Sequence, residues 1–561
     1  YGFLAEDDRF AQECAEAGLI FVGPPASVLR EVGDKAAAKR SAIDAGVPIL
    51  PSYAGDDQSE DALVEAARDV DFPLIVKPAG GGGGKGMSVV RRPEDLLEAI
   101  RVAQRVAAAA FDDDRLILER FLERPRHVEV QVLADAHGNV LHLGERDCSL
   151  QRRHQKILEE SPAPGLDADV RATLHAAAVR FARRAGYVGA GTCEFLVGPS
   201  DEVGFIEMNA RLQVEHPVTE LVAGLDLVEL QLRVALGERL PMAQEDVHID
   251  GHAIEVRVYA EAPEEGFIPQ AGRIEHVRWP DDVRIDTGIE EGTEVSTYYD
   301  PLLAKVVVHG EDRGAALAAL RGALAGSEVL GVRTNLTFLA HVARDPAVTN
   351  GSVTTDWLDT SPPATPAPSG HAAATAAFVA AAAEAAHLSG SGQIADPWTG
   401  LGPWRSGGVS RTRVVLRPGG EEQVLVVDGT GPFVVDGGSS VERGADCHAW
   451  TIDGGRAAAA RGGDRWYVWV EGAQHDIPVG PALRRLAAGA ARLDSPLPGR
   501  VIAVRVASGD VVEAGHELVV VEAMKMEHAI RAPAAGTVRA VLCSEGDQVE
   551  RGQPLVDFEP D

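Results

Sequence analysis

The chain has 561 residues, an ordinary apolar content and a formal net charge of −32 at pH 7. This length exceeds what one hydrophobic core needs, so several domains are expected. The negative charge opposes binding to nucleic acid or to an anionic membrane surface, and no apolar run is long enough to span a membrane. An anionic substrate must therefore be held by a local cluster of cations.

Lysine and cysteine are scarce. Arginine supplies most cations, and seven lysines remain: Lys35, Lys39, Lys77, Lys85, Lys156, Lys305 and Lys525. A retained lysine is a candidate for work that needs a compact ammonium or a nucleophilic amine, although some will be chance. The five cysteines form no Cys-x-x-Cys pair, which predicts reduced thiols in a cytoplasmic compartment, or in the mitochondrial matrix of a eukaryote. Neither an initiator Met nor a targeting segment is present, so we expect a fragment that opens inside a domain.

The first two thirds of the chain predict mixed α and β structure. Residues 1–51 alternate helical patterns with short apolar runs, as at the end of an α/β domain. Residues 52–121 form a compact unit with strands at 74–77 and 87–90. Residues 122–360 mix both types, with strands predicted at 128–133, 191–196 and 204–208 and helices at 170–185 and 227–236.

A run of five glycines lies between the strands of the second segment, within the stretch from Lys77 to Met87. Unobstructed main-chain amides can fold over phosphate oxygens, and Lys77 and Lys85 add positive charge. A Walker A loop is excluded, because Ala79 and Gly86 stand where it needs glycine and Ser or Thr, and no helix follows. A bare glycine run would be a flexible linker, but the lysines and flanking strands favour a mobile flap over ATP.

Two predicted strands carry carboxylates. Glu194 lies in the first, and alternate positions of the second are polar: Glu207, Asn209, Arg211, Gln213 and Glu215. Because side chains alternate between the two faces of a strand, these residues all project from the same face for as long as the strand lasts. Oxygen ligands from Glu194, Glu207 and Asn209 suit Mg²⁺ or Mn²⁺, which would bridge triphosphate oxygens. The alternative is a solvated polar strand face.

The last third begins at a Pro-rich segment, 361–370, which predicts a linker and a domain boundary. Residues 371–490 combine an Ala-rich helix at 371–388 with a β-rich region. Residues 491–561 contain two copies of one unit. Gly499, Gly509, Gly515 and Leu518 of the first copy recur in the second, with a fixed offset, as Gly536, Gly546, Gly552 and Leu555. Such a repeat predicts a small quasi-symmetric β-domain.

Lys525 lies between the two copies, in Ala523-Met524-Lys525-Met526, on a predicted exposed hairpin. Methionine side chains there give a modifying enzyme an adaptable surface, although a solvated surface lysine is the simpler alternative. The segment resembles the biotinyl domain of biotin-dependent carboxylases. A lipoyl domain has the same kind of repeat, but its modified lysine usually lacks the paired methionines. The resemblance implies covalent biotin on Lys525, attached by a biotin protein ligase.

Four further motifs extend the resemblance: Glu119-Arg-Phe-Leu122, Pro125-Arg-His-Val-Glu129, Arg146 to Lys156, and Glu215-His-Pro-Val-Thr-Glu220. With the carboxylate strands they resemble the biotin carboxylases of the ATP-grasp superfamily, from residue 1 to about 359. The implied fold is multidomain α+β, with an ATP-grasp biotin carboxylase, a β-rich barrel-like middle domain and an all-β biotinyl domain. Residues 1–51 would be the remainder of an N-terminal domain, 52–121 the ATP-grasp lid, and 122–360 the rest of the carboxylase.

The resemblance also implies site residues. Those expected around the nucleotide are Lys35, Lys77, Gly82, Gly83, Gly84, Met87, Glu119, Leu122, His127, Gln151, His154 and Lys156. The metals would be held by Glu194, Glu207 and Asn209. Bicarbonate would be held by Arg211, Gln213 and Val214. Glu215 would be the base, and Arg257 would face the ureido group of biotin.

The implied chemistry explains these residue types. ATP converts bicarbonate, a poor electrophile, to carboxyphosphate, while Glu215 takes its proton and Arg211 offers a planar fork to its oxygens. Breakdown releases CO₂ beside biotin, and Arg257 stabilises the ureido oxyanion. Because water would hydrolyse carboxyphosphate, the glycine flap would also serve to exclude water from the site.

Carboxylase and carrier in one chain resemble the α subunit of acyl-CoA carboxylases. Residues 371–490 would then hold a carboxyltransferase β subunit, which binds the acyl-CoA within a hetero-oligomer. Pro397-Trp398 and Gly402-Pro-Trp-Arg405 look more like 3-methylcrotonyl-CoA carboxylases than propionyl- or acetyl-CoA types, although core packing alone would also explain both tryptophans. The rivals are a propionyl- or acetyl-CoA carboxylase α subunit, a fragment of a pyruvate- or urea-carboxylating enzyme, and a non-catalytic scaffold that carries biotin.

Overall fold

The computed structural model describes most of the first 363 residues, eight strand segments of the middle region, and most of the C-terminal domain. The described ranges are 2–80, 86–111, 113–152, 155–363, 411–416, 423–428, 433–435, 439–443, 449–452, 455–462, 465–470, 472–478, 491–523, 526–550 and 552–560. The chain divides into two compact units. Unit 1 comprises Tyr1–Val256, Val307–Leu320 and Ala343–Pro363, and unit 2 comprises Arg257–Val306, Arg321–Val342 and Ala364–Asp561. Within the described ranges, no helix has the length and apolarity that a membrane crossing requires.

The described residues form α-helices as follows: α1 (Asp8–Glu16), α2 (Ala26–Gly33), α3 (Lys35–Asp44), α4 (Glu60–Val70), α5 (Leu96–Phe111), α6 (Ala168–Ala185), α7 (His216–Ala223), α8 (Leu227–Ala235), α9 (Arg313–Gly326), α10 (Leu336–Val342), α11 (Pro346–Thr349) and α12 (Trp357–Thr360). Local chemistry fixes their ends. The side chains of Asp34, Ser59 and Asp167 accept hydrogen bonds from the first backbone N–H groups of α3, α4 and α6. Gly186 and Gly224 end α6 and α7 in the left-handed conformation that glycine adopts without strain.

A four-stranded antiparallel sheet covers residues 52–120. Its strands are β1 (Ser52–Tyr53), β2 (Leu74–Pro78), β3 (Ser88–Val90) and β4 (Leu116–Arg120), in the order β1-β4-β2-β3. Apolar residues of α4 and α5 pack on one face, with Leu63, Leu74, Ile100 and Leu118 fully buried. The two strands predicted beside the glycine run are therefore present, within a residue of their expected limits.

A larger antiparallel sheet forms the centre of unit 1. Its strands include β5 (Arg126–Ala134), β6 (Val140–Arg152), β7 (Gln155–Ser161), β8 (Gly189–Val197) and β9 (Val203–Asn209), in the order β7-β6-β5-β8-β9. Residues 253–256 of β10 (His252–Tyr259) pair with β7. Helix α6 covers one face, where Phe181, Phe195 and Phe205 meet in the core. The opposite face of β5 and β8 is left for polar side chains.

The polar segment that begins at Glu207 departs from the sequence expectation. Strand β9 ends at Asn209, and residues 210–215 form an irregular connection into α7. The period-two prediction is therefore correct for Glu207 and Asn209 and wrong for the residues that follow. Pro217 in the first turn of α7 favours the start of a helix there, and residues 210–215 connect the end of β9 to it.

Unit 2 contains short strands from the first 342 residues and a meander from the middle region. The short ones are β11 (Glu261–Ala262), β12 (Ile268–Pro269), β13 (Gly272–Arg273), β14 (His276–Arg278), β15 (Arg284–Thr287), β16 (Glu294–Val295), the first half of β17 (Leu302–Gly310) and β18 (Glu328–Leu330). The meander strands are β19 (Arg411–Leu416), β20 (Gln423–Asp428), β21 (Phe433–Val435), β22 (Ser439–Arg443), β23 (Ala449–Ile452), β24 (Gly455–Gly462), β25 (Arg465–Val470) and β26 (Ala473–Pro478). These eight pair in chain order, each antiparallel to the next. The predicted β-rich middle region is thus present, and its barrel-like closure stays a prediction.

The C-terminal domain consists of two four-stranded sheets. One contains β27 (Ala491–Asp494), β34 (Pro554–Pro560), β32 (Gly536–Val541) and β29 (Val511–Val512) in that order. The other contains β31 (Met526–Arg531), β30 (Glu517–Ala523), β28 (Gly499–Val504) and β33 (Gln548–Val549). The repeat recurs in backbone geometry, because Gly509 and Gly546 have φ of 98° and 95°, and Gly515 and Gly552 have φ of 84° and 79°. Equivalent glycines make equivalent turns, as a duplicated unit requires.

Candidate active site

Lys156, on β7, is the centre of a buried polar cluster. Its Nζ lies 2.5 Å from Glu129 Oε2, 2.6 Å from Glu215 Oε1 and 3.0 Å from Glu194 Oε1. Burial disfavours a charged amine, but the three carboxylates outweigh it and raise the pKa of Lys156 well above its ordinary value. The side chain is therefore a permanently charged ammonium, held by acceptors on three sides.

Strand register explains why these carboxylates meet. On the polar face of the large sheet Glu129 of β5 is directly opposite Glu194 of β8, and Glu194 is opposite Glu207 of β9. Glu215 arrives from a different element, as the residue that immediately precedes α7. Burial alone would raise the pKa of Glu194, but Lys156 and His127 lower it well below its ordinary value. His127 Nε2 lies 3.3 Å from Glu194 Oε2.

Glu194, Glu207 and Asn209 fit a hard divalent cation. Burial and the neighbouring charge of Glu194 raise the pKa of Glu207, which is the signature of two carboxylates with too little positive charge between them. Lys35 Nζ lies 3.8 Å from Glu207 Oε2. The Asn209 Nδ2 group is buried and makes no hydrogen bond within the described residues. Carboxylate and amide oxygens are the donors that Mg²⁺ and Mn²⁺ prefer.

Two lysines of the predicted nucleotide region share one carboxylate. Lys77 Nζ lies 2.5 Å from Glu119 Oε1, and Lys39 forms an ion pair with Glu119 Oε2. Burial would raise the pKa of Glu119, but the charges of Lys77 and Lys39 lower it to about 2. Leu122 is buried and Met87 is half-buried. Four of the seven lysines thus lie among the carboxylates of unit 1: Lys35, Lys39, Lys77 and Lys156.

The predicted bicarbonate residues lie in the irregular connection before α7. Gln213 Nε2 donates to Glu194 Oε1 at 3.0 Å, which ties this connection to the Lys156 cluster. Arg211 Nε donates to Glu6 Oε2 at 3.0 Å, and Arg211 Nη2 lies 3.4 Å from Asn209 Oδ1. Val214 is partly buried beside them, and Gln151 is paired opposite Lys156 in the sheet. The structure therefore brings Gln213 and Glu215 to the cluster, although they do not lie on a strand.

Other predicted residues cannot be placed in this cluster. Gly82, Gly83, Gly84, His154 and Lys525 lie outside the described residues, as do the linker beyond residue 363, the Ala-rich helix and the tryptophan motifs. Strand β30 ends at Ala523 and pairs with β31 from Met526, so Lys525 falls between two described strands. Arg257 belongs to unit 2, where its carbonyl accepts a hydrogen bond from Asn335 Nδ2 at 3.0 Å.

Sequence reasoning missed three residues of the site. Glu129 is the last residue of one sequence motif and Arg146 is the first residue of the next, but neither was assigned a role. Lys39 was predicted only as one of the few lysines. Arg146 is completely buried and donates through Nε to Glu129 Oε1 at 2.6 Å. The available signal was charge in buried strands, because an ionised side chain inside an apolar pattern must find a partner.

The family profiles that match the chain agree with this geometry. "Biotin carboxylase, N-terminal domain" matches residues 1–29, and "Carbamoyl-phosphate synthase L chain, ATP binding domain" matches 34–243. "Biotin carboxylase C-terminal domain" matches 255–360, and "Biotin-requiring enzyme" matches 491–558. Fold and site together define an ATP-dependent biotin carboxylase that shares its chain with a biotin carrier domain, as the sequence predicted.

The curated relatives define the type of carboxylase more closely. Methylcrotonoyl-CoA carboxylase subunit alpha is 39% identical in Dictyostelium discoideum, over 95% of this chain and 81% of the relative, and 40% identical in Mus musculus, over 100% and 82%. The propionyl-CoA carboxylase alpha chain of Ruegeria pomeroyi is 37% identical, over 95% and 84%. The chain belongs to the methylcrotonoyl-CoA carboxylase α-subunit family of biotin-dependent carboxylases.

Solved structures show the same fold with nucleotide and bicarbonate bound. The biotin carboxylase domain of Hydrogenobacter thermophilus 2-oxoglutarate carboxylase, in complex with MgADP, ADP and bicarbonate, is 40% identical. Its TM-score is 0.63, and the match covers 64% of this chain and 80% of that one. The biotin carboxylase of Campylobacter jejuni, in a β-γ-ATP complex, is 41% identical with a TM-score of 0.62, over 64% and 80%. The nucleotide and Mg²⁺ in the solved structure support ATP and Mg²⁺ here, and the biotin-requiring profile supports biotin. These three are the predicted nucleotide and cofactors.

Proposed function

We propose that the Lys156 cluster activates bicarbonate at the expense of ATP, and that the carboxyl group passes to biotin carried on Lys525. The observation that carries the proposal is one ammonium surrounded by Glu129, Glu194 and Glu215 on the polar face of an ATP-grasp sheet. A scaffold without catalytic function would have no reason to bury three carboxylates around one lysine, since desolvation of such groups is costly.

Nucleotide and metal would lie between the small sheet and the polar face of the large one. Lys35, Lys77 and Lys156 supply charge to phosphate oxygens, and Glu194, Glu207 and Asn209 hold the divalent cation. A cation held by these residues would neutralise phosphate charge during phosphoryl transfer. Glu119 holds the Lys77 ammonium in place, because it accepts from that lysine at 2.5 Å. Met87, Leu122, His127, Gln151, His154 and the glycines 82–84 complete the nucleotide-binding set.

Bicarbonate activation is assigned to the segment that ends at Glu215. A bicarbonate oxygen attacks the γ-phosphorus, the bond from phosphorus to the ADP oxygen breaks, and Glu215 takes the bicarbonate proton. Arg211, Gln213 and the backbone at Val214 hold the anion in place. Lys156 lies 2.6 Å from Glu215, so its charge stabilises the anion that remains after proton transfer. Buried surroundings exclude water that would hydrolyse carboxyphosphate.

The carrier half of the reaction is assigned to Arg257 and Lys525. Arg257 would stabilise negative charge on the ureido oxygen of biotin. Lys525, which follows β30 and precedes β31, would be biotinylated by a biotin protein ligase and would carry the carboxyl group away from unit 1. A reduced compartment, either the cytoplasm or a mitochondrial matrix, agrees with four described cysteines that are all free thiols.

The acyl acceptor and the partner subunit follow from the relatives. We assign 3-methylcrotonoyl-CoA, because methylcrotonoyl-CoA carboxylase α subunits match at 39% and 40% identity while a propionyl-CoA carboxylase α chain matches at 37%. The small margin keeps propionyl-CoA or acetyl-CoA as the second candidate. A separate carboxyltransferase β subunit would bind the acyl-CoA, in contact with the middle region of this chain.

The test measures bicarbonate-dependent ATP hydrolysis by the full chain. Glu215→Gln should lower kcat by about 10²- to 10⁴-fold, since it removes the general base. Glu220→Gln is a matched control, because Glu220 lies on α7, which directly follows Glu215, and accepts a hydrogen bond from the Leu227 backbone N–H at 2.8 Å. Equal loss in both variants would contradict the assignment. Reconstitution with a β subunit and a panel of acyl-CoAs then identifies the acceptor.

A further inference from the structure

Arg146 is a buried charge of unit 1 whose hydrogen-bonding capacity is fully used. Its side chain, on β6, is fully buried, and all five N–H groups of the guanidinium have a side-chain acceptor within unit 1. The acceptors are Glu129 Oε1 at 2.6 Å, Gln131 Oε1 at 2.7 Å, Thr219 Oγ1 at 2.9 Å, Thr192 Oγ1 at 3.1 Å and Gln213 Oε1 at 3.1 Å. An arginine held in this way has one orientation available to it.

Two of those acceptors lead directly to the reacting groups. Glu129 accepts from Arg146 through Oε1 and from Lys156 through Oε2, so it is a fixed bridge between the two cations. The Glu129 side chain is itself fully buried, so it cannot turn outward to be solvated by water. The position of the Lys156 ammonium therefore depends on Arg146 through one intervening carboxylate.

The other acceptor determines which way an amide points. Gln213 Oε1 accepts from Arg146 Nη2, and Gln213 Nε2 donates to Glu194 Oε1 at 3.0 Å. Arginine can only donate and an ionised carboxylate can only accept, so the two partners fix the amide in one of its two flipped orientations. Without Arg146 the amide oxygen would lose the donor that sets this choice.

We propose that Arg146 is a positioning residue of the bicarbonate site, which acts by orienting Gln213 and by holding Glu129 against Lys156. The inference rests on the proposed function, in which Gln213 binds bicarbonate and Lys156 serves the reaction. Arg146 is enclosed by protein side chains and touches no substrate. Its effect is larger on bicarbonate than on ATP, because Gln213 faces bicarbonate, whereas among the nucleotide residues Arg146 reaches only Lys156, and only through Glu129.

The test compares the Michaelis constants of bicarbonate and ATP in full-length Arg146→Lys. Lysine keeps the charge but has three donors in place of a planar fork, so the KM for bicarbonate should rise about tenfold or more while the KM for ATP rises by a clearly smaller factor. In a cycle with Gln213→Ala, Arg146→Lys should add less to the bicarbonate KM than it does in the parent, because one of its two targets is already gone. Full additivity, or an equal rise in both KM values, would overturn the proposal.

A second pair of variants keeps the test decisive if Arg146→Lys does not fold. Thr192→Val removes the hydroxyl that shares Nη2 with Gln213, whereas Thr219→Val removes a hydroxyl on Nη1, away from Gln213. Thr192→Val should raise the bicarbonate KM several-fold more than Thr219→Val, and equal effects would overturn the inference. If the unaltered chain, fully biotinylated, shows no bicarbonate-dependent ATP hydrolysis, the proposed function fails and the role of Arg146 fails with it. An active parent with unaffected variants rejects Arg146 alone.

Discussion

Glu194 and Glu207 lie directly opposite each other on β8 and β9, so two carboxylates are cross-strand neighbours on one face of the sheet. Burial and the charge of Glu194 raise the pKa of Glu207, and Lys35 at 3.8 Å offsets the repulsion only in part. Like charges placed in this way destabilise the metal-free protein and favour a divalent cation. Folding stability and metal binding are therefore opposed at this pair.

Glu207→Gln tests that opposition. The melting temperature of the metal-free protein should rise, because one of two repelling charges is gone, while the Mg²⁺ concentration needed for half-maximal ATP hydrolysis should rise about tenfold or more. Differential scanning fluorimetry with and without Mg²⁺ measures the first, and a metal titration of activity the second. Glu202→Gln, in the turn before β9, should change neither. A lower melting temperature without metal would argue against the repulsion.

Glu119→Gln should destabilise the small sheet and weaken ATP binding together. Glu119 is the shared partner of Lys77 and Lys39, and removal of one member of a buried ion pair costs about 3–5 kcal/mol. Since the pKa of Glu119 is lowered to about 2, its contribution is present above the ordinary value of 4.5 and disappears as the pH falls towards 2. The difference in stability between the parent and Glu119→Gln, measured by hydrogen exchange in the small sheet, should therefore be largest above pH 4.5 and shrink as the pH falls towards 2.

The control for Glu119→Gln is Glu60→Gln on the outer surface of the same subdomain. Glu60 pairs with Arg101 in an exposed position, at 2.8 Å, and solvent screening leaves such a pair little effect on stability. Only Glu119→Gln should raise the KM for ATP. A small, equal loss of stability in both variants would show that the buried Glu119 pair stabilises the protein no more than the exposed Glu60 pair does.

Sequence alone could predict the strands and the identity of the site because both depend on local pattern. Strands β2, β5 and β8 and helix α6 lie within two residues of their predicted limits, since apolar periodicity and caps determine them. The sequence motifs assigned Lys156 and Glu215 to the candidate site through their resemblance to biotin carboxylases, and Glu194 was assigned also through its place on a predicted strand.

The tertiary partners were beyond sequence reasoning. The approach of Glu129 to Lys156 and Arg146 depends on the pairing order β7-β6-β5-β8, which no local pattern encodes. The end of β9 at Asn209 was missed because alternation of polar residues continues through Glu215 into a segment that is not a strand. Proline at the start of α7 was the signal that could have corrected it.

Lys525→Arg should abolish covalent biotin and leave the carboxylase site intact. Intact-mass measurement should show one biotinyl group on the parent chain and none on the variant, because arginine cannot form the amide with biotin. Hydrolysis of ATP with bicarbonate and free biotin should continue in the variant, since Lys525 is not part of unit 1. Lys305→Arg, at a buried lysine that pairs with Asp286 at 3.1 Å, should keep its biotin. Biotin on the Lys525 variant would reject the attachment site.

A buried ion cluster joins β14 and β18 to the middle sheet within unit 2. Glu328 has a fully buried side chain, and it accepts from His276 Nε2 at 2.9 Å and from Arg456 Nε at 2.6 Å, with Arg278 Nη1 at 3.5 Å. His276 Nδ1 lies 3.0 Å from Glu291 Oε1. Both ring nitrogens of His276 thus face carboxylates, which requires both to carry protons.

The stability of this cluster should fall as the pH rises above about 6.5. Burial lowers the pKa of His276, but Glu328 and Glu291 outweigh it and raise the pKa, so its contribution is complete below the ordinary value of 6.5 and is lost as the pH passes the folded value. The pKa of Glu328 is about 2, so Glu328 stays ionised across this window. Hydrogen-exchange protection of β14 and β18, corrected for intrinsic rates, should decrease from pH 6 to pH 8 in the parent and stay flat in His276→Gln. Glu291→Gln, which removes the more exposed carboxylate, should weaken the dependence without abolishing it. Constant protection in the parent would show that His276 is neutral throughout.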